Sequence, residues 1–138
     1  VVVEGTCRTY NPDTQDYIEW QLGRLLGGLD MMFGTNSTLL YERDHGAVIN
    51  SVEQAALAAQ VVRERFGESA LAAIQEPAMT AEDFSAYLNA YGGAFLWLGT
   101  AEEGKPAWPL HHPQFSIDEK MLPQGVELLS SLALKALQ

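Results

Sequence analysis

The stretch from Met79 to Glu119 decides how this chain is read. It holds Thr80-Ala81-Glu82-Asp83-Phe84, the apolar run Ala94-Phe95-Leu96-Trp97-Leu98-Gly99 and the turn Pro109-Leu110-His111-His112-Pro113. The first fits a short helix over Glu82 to Leu88, begun at Thr80 or Ala81. Gly92-Gly93 separates it from a strand over Ala94 to Leu98, and Gly104, Pro106 and Pro109 mark Thr100 to Trp108 as loop. Polar groups able to do chemistry are densest here, so the residues before this stretch read as scaffold or lid and those after it as one supporting helix.

Working outward, the final element is a helix from about Lys120 to Ala136, with Leu122, Val126, Leu129, Leu132, Ala133 and Ala136 as the expected buried stripe. Upstream, Ser51 to Phe66 reads as a helix with Asn50 as cap and Glu53 at the capping-box position. Its expected apolar face is Val52, Ala55, Ala56, Ala59, Val62 and Phe66, and Gly67 stops it. Ala70 to Ile74 reads as a strand. Nearer the start, Val1 to Tyr10 favours a strand, and Asn11-Pro12 opens a helix carrying Ile18, Leu22, Leu25, Leu29 and Phe33 on one face. Gly34 ends that helix through a left-handed cap, and Gly23, Gly27 and Gly28 are expected to be offset by close packing against a sheet. Thr38 to Arg43 reads as a strand, completing a β-α-β lobe, and the pattern changes at Asp44-His45-Gly46, where a hinge is expected.

Composition narrows the function. The 138 residues carry 18 acidic and 8 basic side chains, a formal net charge of -10, and no lysine or arginine stripe to displace phosphate counterions. Nucleic acid is therefore not an expected partner. Nor is a membrane, since no apolar run approaches the roughly 20 residues of a spanning helix. One cysteine, Cys7, cannot form an internal disulfide; it reads as a buried thiol in a reducing, cytoplasmic setting. An opening without initiator methionine or leader points to a processed chain or a fragment. No phosphate-binding glycine loop, nucleophile elbow or HExxH pair is present.

Among the chemical groups, Glu82 and Asp83 are consecutive and on a helix diverge by about 100°, so they make no paired acid and base. His111 and His112 point opposite ways in extended backbone, which lets at most one enter a given site. Imidazole suits zinc, manganese, cobalt or nickel. The plainer readings are a solvated helix start for Glu82 and a structural or surface histidine in a proline-flanked turn. His45 carries still less functional signal. A catalytic zinc usually takes three protein ligands plus water, and no such cluster is spaced in this sequence.

Taken together, Gly5-Thr6-Cys7-Arg8-Thr9-Tyr10, the Asn50 region, Ala81-Glu82-Asp83-Phe84, Gly93 to Gly99, Leu110-His111-His112-Pro113-Gln114-Phe115 and Asp118-Glu119 through Gly125 resemble, in order, the C-terminal half of the amidohydrolase branch of the M20 metallopeptidases. That branch includes hippurate hydrolases, N-acyl-amino-acid amidohydrolases and indole-acetyl-amino-acid hydrolases. The resemblance implies a partial M20-like α/β architecture. Residues 1–44 would be the β-α-β half of a lid and dimerisation domain, and 45–138 the C-terminal α/β part of a metal-dependent catalytic domain. It also implies hydrolysis of the amide bond of N-acyl amino acids or short peptides by a complete, homodimeric enzyme. Two divalent ions (Zn, Mn, Co or Ni) would be bound, His111 supplying one ligand and an upstream half of the same enzyme the rest and the proton-shuttling glutamate. Glu82 would support the site, and Arg8 and Asn50 would shape the substrate carboxylate site. His112 stands where relatives place serine. The 138 residues alone would be inactive. The competing reading is a non-catalytic α/β interaction subunit or fragment that mediates protein association. In the complete enzyme, His111→Ala is expected to impair metal affinity and His112→Ala to impair it less, measured by metal titration; equal losses would contradict the assignment of His111.

Overall fold

A computed structural model describes all residues except Ala73 and Gln75. Among the described residues four α-helices and one 3-10 turn are formed: α1 (Pro12–Phe33), α2 (Val52–Phe66), the turn Glu68–Ala70, α3 (Phe84–Tyr91) and α4 (Met121–Ala136). The chain divides into two compact units, one of Val1–Ile49 and Gln75–Gly92, the other of Asn50–Ile74 and Gly93–Gln138.

In the first unit α1 starts and stops as its sequence dictates. The Asn11 side chain accepts the Thr14 N–H at 2.8 Å, Pro12 occupies the first turn, and Gly34 closes the helix at φ 64°, ψ 33°. Asp30 then clasps the outgoing chain: its carboxylate accepts from the Thr35 hydroxyl (2.6 Å) and from the Ser37 N–H (2.9 Å) and hydroxyl (2.8 Å), bonds that hold its pKa below the ordinary value. Arg43 ties the segment after α1 back onto the helix. Its guanidinium binds Asp16 at 2.6 Å and also Glu19, and the bonds to these two carboxylates, led by those to Glu19, raise its pKa. The Tyr10 hydroxyl donates to the Pro77 carbonyl at 2.8 Å. On α3, Ser85 and Leu88 are buried.

The second unit is built on α2 packed against α4. Ala58 and Val61 of α2 and Ser131 of α4 are buried there, Gly125 lies against Leu98, and Lys135 reaches Glu64 at 3.5 Å. Small side chains at the contact let the two helices approach closely.

Several expectations are corrected. Among the described residues no strand forms: Val1 to Tyr10, Thr38 to Arg43 and Ala94 to Leu98 enter no ladder, so the β-α-β lobe is not seen. Strand propensity needs a neighbouring strand to take its N–H and C=O groups, and these segments find none among the described residues. Of the fourth expected strand, Ala70 ends the 3-10 turn and Ala73 lies outside the described residues. Glycines 23, 27 and 28 meet no sheet: a Cβ placed on any of them has nothing within 4 Å. Cys7 is exposed rather than buried, its thiol beside the Tyr41 hydroxyl. On α4 the expected stripe faces outward in part, with Leu122, Val126 and Leu129 more than half exposed. The helix is apolar on more than one side, and the side with Gly125 and Ser131 is the one that packs. Likewise Val52, assigned to the buried face of α2, is 89% exposed.

The two classes of glycine predict opposite signs. Gly28→Ala, in open space on a helix, should stabilise the chain by about 0.4–1 kcal/mol. Gly34→Ala should destabilise it by about 1–2 kcal/mol, because φ is positive there. Urea unfolding midpoints check both, and shifts of the same sign would contradict the assignment.

Candidate functional site

The site is built on the loop between Gly99 and α4. The Thr100 carbonyl accepts the Asp118 N–H at 2.8 Å, closing the loop at its base, and Asp118 then receives the N–H groups of Lys120 (3.0 Å, at Oδ1) and Met121 (2.9 Å, at the carbonyl) as α4 begins. Inside the loop, Lys105 N–H bonds the Glu102 carbonyl at 3.2 Å, with Gly104 at φ 78°, and the two side chains pair at 2.7 Å. The next turn has the His112 N–H on the Pro109 carbonyl at 3.1 Å. His111 is its third residue, at φ 67°, and is the one non-glycine residue with positive φ among those described. That position normally takes glycine or asparagine, and holding histidine there costs about 1–3 kcal/mol. The proline-flanked turn expected here is formed, with both histidines inside it.

The turn gives the two imidazoles different jobs. His112 Nδ1 accepts the Gln114 N–H at 3.1 Å, its carbonyl accepts the Phe115 N–H at 2.9 Å, and its ring stacks on Trp108 with centroids 4.2 Å apart and planes 6° from parallel. An Nδ1 that accepts a hydrogen bond carries no proton, so the ring proton is on Nε2. A histidine that ligates a metal through Nε2 keeps its proton on Nδ1 and donates it. The bond to Gln114 therefore conflicts with ligation at either nitrogen of His112. The imidazole of His111 is exposed, and among the described residues it has no hydrogen bond or ion pair. Beside the histidines, Trp108 and Phe115 join Thr100, Lys105, Pro106 and Ser116 around a cavity of about 140 Å³.

Asn50 does not cap α2. Its amide faces the backbone of Phe95, donating to the carbonyl at 3.0 Å and accepting the N–H at 2.8 Å. Ser51 is the residue before the helix, and it too is turned away: its hydroxyl accepts the Gly93 N–H and its N–H bonds the Gly93 carbonyl, both at 2.9 Å. The side-chain amide has the same donor and acceptor geometry as a peptide, so it occupies the backbone of Phe95 as a neighbouring strand would. The tie joins positions 45 residues apart, which no local signal reveals.

The profile of peptidase family M20/M25/M40 matches residues 5–135. The chain belongs to this family. Membership supports an α/β class. A Synechocystis sp. protein named "probable hydrolase" is 35% identical over 134 residues, covering 96% of this chain and 34% of that protein. An N-acetyldiaminopimelate deacetylase of Bacillus pumilus is 29% identical over 135 residues, 94% of this chain and 33% of that protein. An N-acetylcysteine deacetylase of Bacillus subtilis is 27% identical over 142 residues, 99% of this chain and 34% of that protein. The chain thus spans about a third of the length of these relatives. No solved structure matches it at the same stringency.

Enzymes of family M20 generally use divalent metals, and the donors here fit part of such a site. His111 presents one imidazole, but among the described residues no three histidine, cysteine, aspartate or glutamate groups converge. Glu82 and Arg8 belong to the other compact unit. Glu82 is half-buried just before α3, its Oε1 at 3.5 Å from the Phe84 nitrogen, and Arg8 is exposed. No helix of the described residues is long and apolar enough to cross a membrane.

Asn50→Ala should cost about 1–3 kcal/mol, two hydrogen bonds' worth. Asn50→Asp should recover little, since a carboxylate cannot donate to the Phe95 carbonyl. Accelerated exchange of the Phe95 amide proton is the expected readout in Asn50→Ala, which loses the acceptor that Asn50→Asp keeps; wild-type exchange in Asn50→Ala would contradict the pairing.

Proposed function

We propose that the protein carrying this chain hydrolyses the amide bond of an N-acyl amino acid or short peptide, with His111 as one ligand to a divalent ion. The observation that carries this reading is the exposed imidazole of His111, with no hydrogen bond or ion pair among the described residues, on a left-handed turn beside a neighbour whose ring is stacked on Trp108. Family membership and the deacetylase names of two relatives support the reaction class. Two ions of zinc, manganese, cobalt or nickel per site are proposed, the other ligands coming from parts of the protein outside these residues. When bound, such ions supply Lewis acidity toward the amide carbonyl and the attacking water.

Each of the chain's own residues has a defined task in this reading. His111 donates one ring nitrogen. Glu82 supports the site from the start of α3 without acting as the proton shuttle, and Arg8 offers a guanidinium suited to a substrate carboxylate. Asn50 is likewise proposed to help shape the substrate site. Residues 1–44 are assigned to the lid, where a homodimer contact is also proposed, and 45–138 to the catalytic domain; the setting is cytoplasmic.

A second reading, a non-catalytic subunit that associates with other proteins, draws on the outward row Leu122, Val126 and Leu129 of α4. Assay of the full-length protein on N-acetyl amino acids separates the two. Hydrolysis should stop with a chelator, return with one of the four metals, and fall at least about 100-fold in kcat/KM in His111→Ala. Activity that survives both the chelator and the substitution would refute the metal reading.

A further inference from the structure

We propose that His112 is a positioning residue for the metal site: it fixes the turn that holds His111 out and is not itself a ligand. The proposal rests on the reading of His111 as a ligand and goes beyond it by assigning a task to the neighbouring ring. Three features of the loop carry it. His112 closes the turn with its N–H on the Pro109 carbonyl and starts the next with its carbonyl on the Phe115 N–H, so the backbone on both sides of the histidine pair is set through this residue. Its Nδ1 holds the Gln114 N–H at 3.1 Å, and its ring lies flat on Trp108 at 4.2 Å. His111 sits at φ 67° against its own preference, and a strained residue stays in place only when its surroundings over-determine it. The two side-chain interactions of His112 are the part of that determination a substitution can remove.

Two substitutions take the interactions apart. His112→Asn puts an amide oxygen near the place of Nδ1 and keeps the acceptor for Gln114 while losing the stack. His112→Phe keeps a ring for Trp108 and loses the acceptor. His112→Ala loses both.

Zinc affinity of the full-length protein by competition titration and visible spectra of its cobalt form are the measurements, with exchange of the Gln114 amide proton as a readout independent of metal. His112→Ala should bind zinc about 10–100-fold more weakly, the range for loss of a group that orients a ligand. At saturation its cobalt bands should keep their wild-type positions, because no ligand has been lost. His112→Asn and His112→Phe should each recover part of the affinity, and only Asn should restore slow Gln114 exchange. Wild-type affinity in His112→Ala, with His111→Ala impaired, would overturn the positioning role. Shifted cobalt bands in saturated His112→Ala would make His112 a ligand and overturn it as well. Wild-type affinity in His111→Ala would instead overturn the reading on which the proposal rests.

Discussion

The second unit depends on a backbone pairing made without a second strand. Gly93 and Phe95 give their N–H and carbonyl groups to Ser51 and to the amide of Asn50, the residues that lead into α2. Two of the chain's polar residues best suited to cap a helix are spent on this, and α2 starts without a side-chain cap. What the helix loses is modest, about 1 kcal/mol for a cap. What the fold gains is a fixed origin for the segment that runs through Phe95 and Trp97, ring centroids 5.6 Å apart, to the loop bearing His111. Leu98 on that segment meets Gly125 on α4, and Thr100 and Asp118 close the loop on the same helix start.

Among the described residues Ala58, Val61 and Leu88 are the buried apolar side chains, while Leu122, Val126, Leu129, Met31 and Phe33 stand exposed. Charged pairs such as Arg63 with Glu68 at 2.8 Å lie at the surface, where each is worth at most about 1 kcal/mol. Against that background the loop is held internally, by turns, an aromatic stack and one charged pair, and its geometry can be assigned residue by residue.

How much of this is legible in the sequence differs from element to element. The start and end of α1 can be read because capping is local: Asn11, Pro12 and Gly34 act within a few residues of where they stand. The start of α2 is misread because Asn50 and Ser51 are good caps by type, and only a partner 45 residues away decides otherwise. The packing face of α4 is misread in part: leucines surround the helix, so periodicity offers several stripes, and of the expected one Leu132 is half-buried while Leu122, Val126 and Leu129 face outward. Strand propensity at Val1 to Tyr10 and Ala94 to Leu98 reports a fit to a pleated sheet, but a ladder needs a second strand that propensity does not supply. At the candidate site, resemblance singles out His111, while the contrast between the two rings comes from the positive φ and from the Gln114 and Trp108 contacts of His112.

The central claim is that this loop holds out His111 as a metal ligand while His112 is kept back. Anomalous diffraction at the zinc edge from crystals of the full-length protein tests it most directly. The expected result is an ion about 2.0–2.1 Å from a ring nitrogen of His111, with the His112 ring still flat on Trp108. An ion bound by His112, or a loaded site with no ion at His111, would contradict it.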